Sequence, residues 1–173
     1  MARFISNAAR ISFLAMLLML ILPLVGCSKP TIVNGWTPVK IGTKTFQLEI
    51  VADDDTRTLG LGGRTELDAD KGMLFSFPDA RLRNFVMRDC FIDIDIIFLD
   101  ANARIIAMHH MPIEEPKGDD ETMYQYEIRL KKYSSRYNAK YAIELAGGML
   151  EQLKLNEGDK INLDTETLES ISR

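Results

Sequence analysis

The stretch FIDIDIIFLDANARIIAMHHMP, residues 91–112, limits the fold more than any other. Ile92, Ile94, Ile96 and Phe98 alternate with Phe91, Asp93, Asp95 and Ile97. A period of two sets successive side chains on opposite faces and cannot form the stripe of a 3.6-residue helix. The segment therefore reads as a strand, Asp100–Ala103 as a tight turn, and RIIAMHHM as the returning partner of a hairpin. Phe46, Leu48 and Ile50 alternate with Gln47 and Glu49 in another half-buried strand, and GMLFSFP and AKYAIEL give two more. EGDKINL reads as a turn into a last strand. Asp53 or Asp54 can cap a short helix that the glycines at 60, 62 and 63 end, and AGGMLEQLKLN fits two helical turns. PIEEPKGDDETMY reads as a polar loop. The expected fold is mainly β: a small antiparallel β-sandwich or partial barrel with one or two short helices.

The N-terminus speaks to location. Arg3 and Arg10 precede an apolar run of about fifteen residues, shorter than the roughly twenty a membrane-spanning helix needs. LVGC, Leu24 to Cys27, resembles a bacterial lipobox, in which the cysteine after a small residue takes diacylglycerol and becomes the mature N-terminus. Residues 1–26 then form a lipoprotein signal peptide, 27–39 the lipidated Cys27 and a tether, 40–164 a single β-rich domain, and 165–173 a polar tail. The resemblance implies a bacterial envelope protein anchored through Cys27, and Ser28 points to the outer membrane, facing the periplasm. The whole chain carries a formal charge of −4, and loss of two arginines and no acid makes it −6. That balance argues against nucleic acid as a partner. With Cys27 lipidated, Cys90 has no second cysteine in the chain to pair with.

The order LGLGGRTEL, KGMLFSF, FVMRDCFIDIDIIFLD, AIELAGGMLEQL and EGDKI resembles the domain of unknown function 192 (DUF192) family. The likeness covers about residues 45–163. Gly72 to Phe77, Asp95 to Phe98, Glu144 to Gly147 and Gly158-Asp159 match the family pattern. Gly62 stands where the family has methionine. Val86 replaces its tryptophan, Arg88 its lysine, Asp89 its asparagine, Cys90 its threonine and Asp93 its proline. The resemblance implies a sandwich-like β fold, names no activity and implies no cofactor.

Arg64, Asp95 and Glu144 lie in the family's blocks, and a charge near a core must be paired or neutralised. One reading joins them with Met73, Met87 and Arg88 as the lining of a pocket; the other makes them structural ion pairs. Asp89, Asp93 and Asp95 share a parity, but one strand cannot converge the oxygens that calcium needs. Cys90, on the apolar parity among acids, is expected to be buried and inert. The methionines and histidines of MHHM would suit copper. Alternation, however, sends Met108 and His110 one way and His109 and Met111 the other, so Met108 with His110 is at most half a site. Three function classes follow: a non-catalytic binding domain for a small ligand or envelope protein, a copper-handling protein, and an enzyme with a polar site at Arg64 and Asp95. The first is expected, since nothing in the sequence has nucleophile, phosphate-loop or zinc spacing.

Overall fold

The computed structural model describes residues 31–173. Six strands form one mixed sheet: β1 (Trp36–Ile41), β2 (Lys44–Val51), β3 (Lys71–Phe85), β4 (Ile94–Leu99), β5 (Ile105–Met111) and β6 (Tyr133–Ala146), in the order β1-β2-β3-β6-β4-β5. Four short helices accompany them: α1 (Asp54–Leu59), α2 (Met123–Arg129), α3 (Met149–Leu153) and α4 (Thr165–Ile171). The mainly β reading holds. The sheet is not closed into a barrel, and its β2–β3 pair is parallel, the exception in an otherwise antiparallel set. A parallel pair needs a long connection, and α1 with its following loop supplies it.

The β4–β5 hairpin forms where the alternation places it, with Ile94 opposite Met111 and Ile96 opposite His109. Asp100 accepts from the backbone N–H groups of Asn102 and Arg104 and so fixes the turn. Every residue of β4 is buried, because β5 and β6 flank it and apolar clusters cover both faces. Ile97, Leu99, Leu74, Ile143 and Leu145 belong to one cluster, which Met149 and Leu153 of α3 and Leu168 of α4 cover. Ile94, Ile96, Phe98, Phe75 and Phe77 belong to the other, together with Leu61, Met87, Cys90 and Tyr133.

Several boundaries differ from expectation. The first strand starts inside the stretch read as tether: Val39 packs in the core and β1 pairs with β2 through a two-residue turn. Gly42 opens that turn at φ +56°, the positive value a tight hairpin needs. The polar loop ends in α2, where Thr122 and Gln125 exchange the reciprocal hydrogen bonds of a capping box. EGDKINL makes only an isolated bridge, Lys160 to Arg104, in place of a strand. The tail contains α4, capped by Asp164. Asp53 caps α1 as expected, and Gly60 closes it. Cys27 and the segment read as a signal peptide lie outside the described residues.

Candidate functional site

The residues singled out as one pocket are divided by the sheet. Asp95 is 1% exposed and lies directly opposite His110, while Glu144 pairs in register with Ile96 and Met73. Alternation therefore sends Asp95 and Glu144 to opposite faces. Asp95 Oδ1 lies 2.8 Å from His110 Nδ1, and Oδ2 accepts from the Leu150 backbone N–H at 2.7 Å. This carboxyl pins α3 to the hairpin. Arg64 bonds Glu49 at 2.6 Å, both side chains about one-third exposed. The cluster of Arg64 with Asp95 does not form, because each has its partner on its own side. Met73 and Met87 are core residues of the Glu144 face. Arg88 and Glu144 do line one cleft.

MHHM divides as alternation requires. His109 Nε2 contacts the Ser134 carbonyl oxygen at 2.7 Å, and its ring lies beside Phe98 and Tyr133. His110 turns to Asp95, and Met108 packs against the α3-side core. Among the described residues no group of three or more His, Cys, Asp or Glu side chains could hold a metal ion. The row of aspartates also breaks up. Asp89 sits in a turn at φ +52°, and Asp93 accepts from the Ile113 N–H ahead of β4.

The cleft of about 920 Å³ over Glu144 is built from four separate segments, with Arg173 from the C-terminal end at its edge. Arg57 to Gly62 of α1 and its loop form one wall. β3 from Phe75 onward forms the floor and a second wall, and residues 86–90 a third. Glu144 of β6 lies at the base. Glu144 is 5% exposed, and its Oε2 has no hydrogen-bond partner in the protein. Burial raises its pKa to about 8, against smaller opposing effects from the Leu61 backbone N–H and the charge of Arg64. At neutral pH the group is mostly a carboxylic acid. Gly60 closes α1 beside Glu144 in a backbone conformation that favours glycine. It takes φ +52°, and a Cβ there would stand 3.5 Å from Glu144 Oε2 and 3.4 Å from the Phe75 ring.

The floor is aromatic. Phe75 and Phe85 meet edge to face at 5.0 Å, and Phe77 stacks with Phe75 at 6.4 Å. The guanidinium carbon of Arg83 lies 3.7 Å from the Phe77 ring centre, and that of Arg57 lies 5.3 Å away. Both arginines are fixed: Arg57 donates to the Ser76 carbonyl and to Asp54, and Arg83 donates to Asp79 at 2.7 Å. Hydrogen bonding from Arg83 lowers the Asp79 pKa, while burial lowers that of Arg83. Arg88 bonds Glu127 of α2 at 2.8 Å, and Tyr126 of the same helix accepts from the Asp89 N–H at 2.9 Å. That helix, missed in the sequence, thus braces one wall. Cys90 also lines the cleft. Burial, with the charges of Glu144 and Asp89, pushes its thiol up to about 12, so it is no nucleophile at neutral pH.

The family model of DUF192, described as uncharacterized ACR, matches residues 37–163, and the chain belongs to that family. No curated protein matches the chain. Two solved structures are similar. One, from Novosphingobium aromaticivorans, is a protein of unknown function, with a TM-score of 0.58 and 24% identity over 78% of this chain and 93% of that one. The other, from Sinorhizobium meliloti 1021, is described as a candidate transcription regulator. Its TM-score is 0.57 and its identity 23%, over 72% of this chain and 88% of that one. At these identities the likeness is one of fold, and fold alone assigns no function.

Proposed function

We propose that this DUF192 protein is a lipid-anchored protein of the bacterial envelope whose domain binds a small ligand, without catalysis, in the cleft over Glu144. The observation that carries the reading is Glu144 Oε2, a buried polar atom without a protein partner at the base of an open cleft. Leaving such a group unmet costs roughly 1–3 kcal/mol, so folded proteins keep few of them, and those few call for an explanation. A ligand that brings the missing partner is one. The absence of catalysis rests on Cys90, held as a thiol, and on the distance in the fold between Arg64 and Asp95, which have separate partners on separate elements. The anchor rests on the sequence LVGC and on Cys27.

Val86 offers the test. It lines the cleft at the position where the family pattern carries tryptophan, so Val86→Trp should fold and narrow the cleft. Three probes share one apolar body and differ in charge: 4-phenylbutyrate, 4-phenylbutanol and 4-phenylbutylamine. The expected result is that at least one raises the melting temperature of the detergent-solubilised full chain and that Val86→Trp loses the effect. Equal effects in both proteins, or none in either, would reject the cleft as a binding site.

A further inference from the structure

We propose that the cleft is a site for small amphipathic carboxylates, the apolar body lying along Phe75, Phe77 and Phe85, the charge met by the arginine rim, and the Glu144 carboxyl donating to an acceptor on the ligand. This rests on the reading of the cleft as a ligand site and names what enters it.

Charge supports it first. Five arginines line the cleft, against Asp54, Asp79 and Glu144, in a chain that is acidic as a whole. Asp54 and Asp79 are already paired with Arg57 and Arg83. Arg81 differs. Its side chain is 67% exposed, and its contact with Asp79 is long, at 3.7 Å, to a carboxylate that Arg83 already holds. The rim thus keeps cationic capacity toward a carboxylate, the group a guanidinium fork recognises best. A cation would meet arginines and a mostly neutral Glu144, and a neutral ligand would leave the rim unanswered. Below the rim, three phenylalanine rings and the exposed Leu82 give an apolar surface for the ligand body.

Glu144 supplies the third element, and its environment sets the pH response. Arg64 on the loop after α1, itself bonded to Glu49 of β2, acts on Glu144, and so does Cys90 on the β3–β4 connection, which has Asp89 and Arg88 beside it. Burial pushes the Cys90 thiol up to about 12, so it stays neutral between pH 6 and 9. In that window Glu144 therefore governs. Its acid form donates, and its ionised form repels an anion. Binding is then strongest below pH 8 and falls as pH rises, by about tenfold at pH 9 if only the acid form binds.

Calorimetric titration of the full chain in detergent with the same three probes tests this. The acid should bind at least tenfold more tightly than the amine at pH 6.5, and Arg81→Glu should weaken the acid but not the alcohol. Glu144→Gln, which keeps a donor and cannot ionise, should hold its affinity for the acid from pH 6.5 to 9 while the native protein loses it. If the amine binds as well as the acid, the carboxylate class is wrong although the cleft still binds. If the alcohol alone binds, the rim plays no part, and the proposal fails in the same way. If none of the three binds, both this inference and the binding reading fall. Affinity of the native protein that does not change with pH would remove Glu144 as donor.

Discussion

Two buried carboxyls, one on each side of the same sheet, have opposite characters. Asp95 spends both oxygens, one on His110 and one on the Leu150 N–H. Its removal should leave buried donors without an acceptor, so Asp95→Ala should lose roughly 2–3 kcal/mol in urea unfolding. Asp95→Asn, which keeps an acceptor oxygen for Leu150, should lose clearly less. Glu144 has the reverse problem, a proton its environment holds too tightly. Its folded pKa lies above the unfolded value of 4.5, so the native state binds the extra proton between pH 4.5 and about 8. Stability conferred by the neutral form is present below 4.5 and is lost as pH rises through that window. Glu144→Gln should match the native protein in melting temperature near pH 4.5 and exceed it by several degrees at pH 8–9. A constant difference across pH would contradict the raised pKa. Both acids stand in legible family blocks, but their separation was not legible. It depends on the register of β6 against β4, a pairing between residues about fifty positions apart.

At the scale of elements, sequence alternation located the β4–β5 hairpin well, since its pairing is local and its turn chemistry explicit. It located β3 poorly. GMLFSFP suggests a short strand, whereas β3 runs from Lys71 to Phe85, past Pro78 and through two irregularities in its pairing with β6. The outer half of that strand has little alternation because it faces the cleft and solvent, and it is the half that carries Arg81 and Arg83. The capping box of α2 was written in the sequence as Thr122-x-x-Gln125, hidden by the polar residues before it. Gly72 lets β2, β3 and β6 approach closely where they pair side by side. A Cβ there would stand 2.5 Å from the Glu144 carbonyl oxygen and 2.8 Å from side chains of Leu48 and Leu145. Gly72→Ala must push the strands apart, and a loss of about 1–3 kcal/mol or more in urea unfolding is expected. A neutral outcome would mean that the three strands pack more loosely than these distances allow.

For the whole molecule, the legible part was composition and class: one mainly β domain with an acidic surface balance. The two-sided core was harder to foresee. β4 reads as a strand with one apolar face, yet Asp95 is buried on the other, where His110 of β5 and the docking of α3 supply the partners its carboxyl needs. The cleft was harder still, since α1, β3, the 86–90 connection and β6 contribute to it from distant parts of the sequence. Among the described residues no helix is long and apolar enough to cross a membrane. We propose that envelope attachment comes from the N-terminal segment, where LVGC would present Cys27 for acylation. Acyl chains hold a protein by roughly 0.8 kcal/mol for each buried CH₂, and the diacylglycerol that a lipobox cysteine takes carries two chains, enough for stable retention. The expectation is specific to one sulfur atom. Cells fed an alkyne-tagged fatty acid should label the native chain in the membrane fraction. Cys27→Ser should lose the label and, where the signal segment is cleaved, leave the membrane fraction. Retention of label by Cys27→Ser would place the acylation elsewhere. A native chain recovered unlabelled and soluble would remove the anchor, leaving the cleft and its ligand to be judged without it.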